Sequence, residues 1–196
     1  MTKPQDRQWR DPVGPERGGN VECPAADLPP EDQAWAIVEA AAAGTLAVVE
    51  DGTDMPFASR VATGTASGGR VVLAVSALSR HTRVLLANPN CSLLLGEAST
   101  GGDPMAQPRL TLTGRARFID RDSRDHAICR TGFLAGPAGP RHYVDFRDFT
   151  FAALEIKSAF LNAGFGKAFD IDPDALLRVA VRRQARRRVE TNPTQP

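Results

Sequence analysis

The chain has 196 residues, enough for one domain with a proper hydrophobic core. Its 24 Lys and Arg stand against 23 Asp and Glu, so net charge points to no polyanionic partner. No apolar run approaches the roughly 20 residues of a membrane-spanning helix, and the Pro- and charge-rich start carries no apolar signal-peptide core. The cysteines, Cys23, Cys91 and Cys129, share no close spacing and fit a reducing, cytoplasmic setting rather than a disulfide framework.

Residues 1–28 read as a disordered or loosely draped arm, because Pro, Gly and charge dominate them. "LPPEDQAWAIVEAAAAG" predicts the first helix. Pro30 suits its first turn, Glu31 and Asp32 favour its positive end, and Gly44 suits its exit. Trp35, Ile37, Val38 and Ala41 form its apolar stripe. Three short β segments follow, "TLAVVE", "FASRVATGT" and "RVVLAVSA". The turn signals "DGTDMP" and "ASGG" between them predict an antiparallel meander. A short helix over 80–88 stops at Asn88-Pro89, and "CSLLLG" is the fourth strand.

"GEASTGGDPMAQP" reads as a Gly-rich mobile loop. "RLTLTGRARFID" alternates, with Leu110, Leu112, Gly114, Ala116 and Phe118 on one face, as a half-buried antiparallel strand does. Residues 121–135 predict a helix, and "GPAGPRHYVDF" a loop or short helical piece whose His142 and Tyr143 either line a substrate pocket or, the favoured reading, lie on the surface. "DFTFAALEIKSAFLNAG" is the sixth strand. A helix near 172–188 closes the chain, and 191–196 read as a disordered tail. The expected fold is mainly β: a single domain over 29–190, a six-stranded antiparallel barrel with flanking helices, since closure removes exposed edges.

The chemistry concentrates in "SRHTR", Ser79–Arg83. Ser79 suits the N-cap, its hydroxyl accepting from a free helix N–H. Arg80 and Arg83 then stand at the positive end of the helix dipole, against its preference. A phosphate there would resolve the conflict, taking backbone N–H groups, hydroxyls and a guanidinium bond together. The alternative is a capped surface helix with solvated arginines. Arg60, mid-strand, either snorkels to solvent or reaches the same anion beside Ser76.

Four stretches in this order, "GTLAVVEDGTDMPFASRV", "LAVSALSRHTRVLLANPNCSLLLGE", "QPRLTLTGRARFI" and "LNAGFGKAF", resemble the FMN-binding split-barrel superfamily. That superfamily contains pyridoxamine 5′-phosphate oxidase. The resemblance is strongest to its haem-utilisation (HugZ-type) branch. It implies an FMN-binding split barrel in which Arg60 and the backbone of Val61, Ala62 and Thr63 grip the flavin, with Val75 and Ser76 beside them. By the same resemblance Ser79, Arg80 and His81 hold the phosphate. The family often has Lys where His81 stands, which leaves Arg83 as a further source of charge. The polar residue before the fifth strand falls at Gln107 or Arg109. In "LNAGFGKAF", Gly164 and Gly166 permit either a bend that turns Phe165 and Lys167 toward the flavin or its substrate, or an ordinary strand-ending turn. The resemblance also implies a homodimer with the cofactor across its interface.

The leading expectation is therefore an FMN-dependent oxidoreductase acting on a small molecule, the flavin carrying the electrons. Arg109 and Lys167 are the candidates for polarising a substrate or flavin oxygen. The alternatives are a haem-binding or haem-degrading protein of the HugZ type, a non-catalytic module holding a flavin or deazaflavin, and an interaction protein using its basic tail. Members of the HugZ-type branch can ligate haem iron through a histidine near the C-terminus. No histidine follows His142 here, which departs from that pattern and counts against such ligation, leaving His126 and His142 as the alternatives. His126 and Cys129 lack companions for a metal site. "RVAVRRQARRR" reads as the C-terminal end of a helix rather than a nucleic-acid surface, because no aromatic platform accompanies it.

Overall fold

The structure is a computed structural model that describes residues 28–96, 103–137 and 142–191. The expected N-terminal arm, most of the Gly-rich loop's first half and the C-terminal tail lie outside the described residues.

Helix α1 (Pro30–Ala40) opens on its proline with Glu31 and Asp32 in the first turn, and buries Ala34, Trp35 and Val38. It ends before the glycine expected at its exit. Gly44 instead lies within β1 (Ala43–Val49), where an added Cβ would stand 2.7 Å from Leu95 and 2.8 Å from the Leu94 carbonyl oxygen. The glycine allows a neighbouring strand to approach, and does not terminate the helix.

The meander continues through β2 (Pro56–Ala66) and β3 (Arg70–Ser76). Then come α2 (Arg80–Ala87), β4 (Asn90–Leu95), β5 (Arg109–Phe118), α3 (Arg124–Leu134) and β6 (Phe149–Asn162). A seventh strand, β7 (Ala168–Ile171), pairs with the end of β6, and α4 (Pro173–Thr191) follows it. The sequence pattern missed β7 because Gly164 and Gly166, both at positive φ, look like a strand-ending turn. They instead reverse the chain into a hairpin.

The sheet runs β3-β2-β1-β4-β5-β6-β7, and a further β3–β6 pairing closes six strands into a barrel. This is the expected mainly-β barrel with flanking helices. Leu46, Leu73, Leu93, Leu110, Leu112 and Leu161 fill its interior. A second apolar cluster lies outside, where Cys129 and Phe133 of α3 pack on Val72 and Phe151. Cys91 and Cys129 are both free and buried. Burial pushes the Cys91 thiol up to about 11, which leaves it unreactive.

The basic run of α4 has partners. Arg182 reaches both carboxylate oxygens of Asp32, at 2.7 and 2.8 Å, while Arg183 and Arg187 each reach Glu39 at 3.2 Å. These arginines are counter-ions of α1 and clasp the two helices. No helix of the described residues is long and apolar enough to cross a bilayer.

α3 lies against β2 through Gly132, whose added Cβ would stand 2.4 Å from the Thr65 carbonyl oxygen. Gly132→Ala must therefore push the helix off the sheet, a strain of about 1–3 kcal/mol. Urea denaturation should show a lower midpoint with an unchanged slope.

Candidate functional site

The β3–β6 register sets Ser76 opposite Phe149, and β2–β3 sets Ala74 opposite Ala62. At this end of the barrel α2 begins. The three strands and the helix start bring together Arg60, Val61, Ala62, Ser76, Ser79 and His81 around a cavity of about 220 Å³. Ala74, Tyr143 and Phe149 complete its wall. The two aromatic rings stand 5.1 Å apart between centroids. The meeting of Arg60, Ser76 and the start of α2 is thus as the meander implied.

The individual roles differ from the expected cradle. Ser79 occupies the N-cap position with extended backbone, yet its hydroxyl makes no capping bond. Arg80 turns away to Glu50: its Nε and Nη2 donate to both carboxylate oxygens, at 2.5 and 2.8 Å, and its guanidinium lies 4.6 Å over the Phe57 ring. That hydrogen bond holds the Glu50 carboxyl below its ordinary range and raises Arg80. The charge conflict at the helix start is therefore answered by an acid of the same chain. Arg83 is exposed on α2, outside the cavity lining.

His81 is 8% exposed. Its Nδ1 lies 3.0 Å from the Ser59 hydroxyl, and its Nε2 is buried without a partner among the described residues. Burial lowers its pKa, so the neutral ring is favoured. Ser76 is engaged within the chain: its hydroxyl donates to an Asp148 carboxylate oxygen and accepts from the Leu78 N–H at 3.1 Å. Thr63 donates its hydroxyl to the Ala41 carbonyl at 3.1 Å, and Val75 is a core residue, so neither side chain lines the cavity.

Of the aromatic wall, the sequence offered Tyr143 as a pocket residue only as the lesser alternative, and Phe149 not at all. Tyr143, for which the surface was favoured over a substrate pocket, lines the cavity from a short 3₁₀ turn, His142–Asp145, which is the short helical piece expected as the alternative to a loop. Arg121 holds that segment, donating to the carbonyls of Asp145 at 2.9 Å, Phe146 at 2.7 Å and also Phe149. Arg130 forks the Asp145 carboxylate at 2.7 and 2.8 Å.

The remaining expected residues gather elsewhere. Arg109 donates to the carbonyls of Met105 and Gln107, at 3.2 and 3.4 Å, and pairs in register with Asn162. Gly164, Phe165 and Lys167 form the adjoining hairpin tip, with Phe165 75% exposed. Phe149 and Asn162 are opposite ends of the 14-residue strand β6. At about 3.3 Å per residue, such a strand extends on the order of 45 Å. One chain thus carries two separate clusters. Of the histidines considered as iron ligands, His126 packs 5.1 Å from the Phe151 ring and His142 lies in the turn; neither lines the cavity.

The sequence profile of the family described as CREG, β-barrel, matches residues 32–177. The non-canonical haem oxygenase HOZ, chloroplastic, of Arabidopsis thaliana is 34% identical over 149 residues, covering 74% of this chain and 44% of that protein. A haem-binding protein from Mycobacterium smegmatis superposes with a TM-score of 0.68 at 29% identity, over 76% of this chain and 60% of that one. The chain spans less than two thirds of either relative. A Clostridium acetobutylicum protein of the pyridoxine phosphate oxidase family shares the fold alone, with a TM-score of 0.54 at 16% identity over 74% of this chain and 96% of that one.

Burial lowers the pKa of both His81 and His126 from the ordinary 6.5. The unfolded chain then binds more protons, so this stability is complete above 6.5 and is lost as pH falls through the lower folded values. The melting temperature should drop between about pH 7 and about pH 5, and His81→Gln should flatten that slope.

Proposed function

The chain belongs to the CREG β-barrel family, and from that premise we propose that it binds haem, with a propionate carboxylate held in the cavity between β2, β3, β6 and α2. The observation that carries this reading is the charge of the cavity. Among the described residues, Arg60 is the cation that lines it. Arg80 is engaged by Glu50, Arg83 stands outside, and burial favours neutral His81. A phosphate monoester carries about −1.5 to −2 charges and wants more than one guanidinium. A carboxylate is matched by one.

The size of the cavity agrees. At about 220 Å³ it takes a head group, whereas whole drug-sized ligands occupy roughly 300–1,000 Å³. Arg60 and the Ser79 hydroxyl would hold the carboxylate, with the first N–H groups of α2 as further donors. Tyr143 and Phe149 would flank the macrocycle. The buried, unpartnered Nε2 of His81 is a polar atom that a bound ligand would satisfy. Haem, when bound, supplies iron chemistry towards oxygen, tuned by the pocket around it. A relative named as a haem oxygenase supports haem degradation as the activity.

We further propose a homodimer. The outward faces of β1, β4, β5 and β6 carry Thr45, Ala47, Ser92, Thr111 and Thr113, with Leu94 and Phe160 exposed at 40% and 44%. A second copy on this small-residue face is the simplest route by which Gln107, Arg109, Gly164, Phe165 and Lys167 would reach a cofactor held at the far end of β6. The free, buried Cys91 and Cys129 are in keeping with a cytoplasmic setting.

A second reading is an FMN or deazaflavin site, serving an oxidoreductase or a non-catalytic flavin module. It is favoured by the Ser79–Arg80 stretch at the start of α2, if Arg80 exchanges Glu50 for a phosphate.

Titration of the purified protein with haem, followed at the Soret band, tests the first reading. Loss of a charge-assisted bond worth about 1.5–3 kcal/mol predicts that Arg60→Ala weakens haem binding about 10- to 150-fold. Arg80→Ala should change it by less than about threefold, as an exposed ion pair contributes little. Wild-type affinity in Arg60→Ala overturns the carboxylate assignment. FMN binding with no haem binding, and sensitivity to Arg80, selects the second reading.

A further inference from the structure

We propose that Asp148 is the specificity-determining residue of this cavity: its carboxylate, linked through Ser76, selects against doubly charged phosphate head groups and admits a singly charged carboxylate. The inference rests on the haem reading above and assigns the residue that separates haem from flavin phosphates.

Ser76 lines the cavity, and its single hydroxyl hydrogen goes to Asp148. Its oxygen already accepts from Leu78 N–H at 3.1 Å. An anion in the cavity therefore gains no donor from Ser76, although a hydroxyl at this position looks like a ligand contact in the sequence. The negative charge that takes the hydrogen stands one hydroxyl group behind the cavity wall. It is fixed there: the Ala77 N–H donates to the Asp148 carbonyl at 2.7 Å, and Phe149, the next residue, pairs with Ser76 in the β3–β6 register. Among the described residues no Lys, Arg or His forms an ion pair with Asp148.

The consequence follows from the product of charges in Coulomb's law. Arg60 attracts either anion from the cavity wall, and Asp148 opposes that attraction from behind it. A carboxylate is repelled by Asp148 once, and a phosphate dianion nearly twice as strongly. Removing the charge raises the affinity of both, and the logarithm of the gain for the dianion is about twice that for the monoanion. Asp148 thus acts on the ratio of two affinities, which is what specificity is.

The test compares haem, by Soret titration, with FMN, by quenching of its fluorescence, on wild type, Asp148→Asn, Asp148→Ser and the charge-preserving Asp148→Glu. In low salt, neutral variants should gain about threefold for haem and about tenfold for FMN, and the difference should shrink as salt screens it. Asp148→Glu should keep the wild-type ratio. Asp148→Ser guards against a local defect peculiar to Asn, and circular dichroism confirms folding of each. An unchanged FMN-to-haem ratio in both neutral variants, or an equal shift in Asp148→Glu, overturns the proposal. If haem binds to none of the proteins, the haem reading fails; a gain in FMN affinity confined to the neutral variants still supports the role of Asp148. FMN binding absent from every variant overturns that role.

Discussion

The pairing of Val71–Ser76 with Phe149–Leu154 is the contact on which the rest of the molecule depends. It removes the two edges that an open six-stranded sheet would leave unpaired. The same register places Phe149 beside Ser76, and so builds one wall of the cavity from the closure itself. β6 then leaves β3 and serves β7 from Ala159 to Asn162. The irregularity at Thr113/Gly114 lies between these two stretches, and an added Cβ at Gly114 would stand only 2.1 Å from the Glu155 carbonyl oxygen. A bulge of this kind bends a strand, and here it lets one strand face two different neighbours.

Local pattern made most of the fold legible. Alternation in "RLTLTGRARF", the proline start of α1 and the Asn88-Pro89 stop of α2 each act within a few residues. β7 was hidden because its four residues follow two glycines and carry too little alternation to distinguish them from a turn. In the site, Arg60, Ser76 and His81 could be grouped because a meander fixes which strand positions adjoin. The charge conflict at the start of α2 was also visible in the sequence. Its resolution was not, since Glu50 lies 30 positions before Arg80 and only folding brings them together. Asp148 and Arg121 were invisible for the same reason: their roles come from long-range pairing, and no spacing rule links them to Ser76.

The two sides of the cavity are built differently. Its strand side is part of the barrel and shares the hydrogen bonds of the sheet. Its aromatic side is a short turn suspended from one guanidinium, which bonds three main-chain carbonyls, and from the Arg130–Asp145 fork. A carbonyl satisfied by a buried or half-buried arginine needs no regular secondary structure. That arrangement lets an irregular segment hold Tyr143 against Phe149, the first residue of β6.

The clasp between the first and last helices has a consequence for how the molecule is made. Asp32 and Arg182 are separated by 150 positions. During synthesis the acids of α1 leave the ribosome long before the arginines that neutralise them. Trp35 and Val38 emerge equally early, and α4 follows the strands of the barrel. The clasp is therefore a long-range contact that forms only once α4 has followed the strands of the barrel.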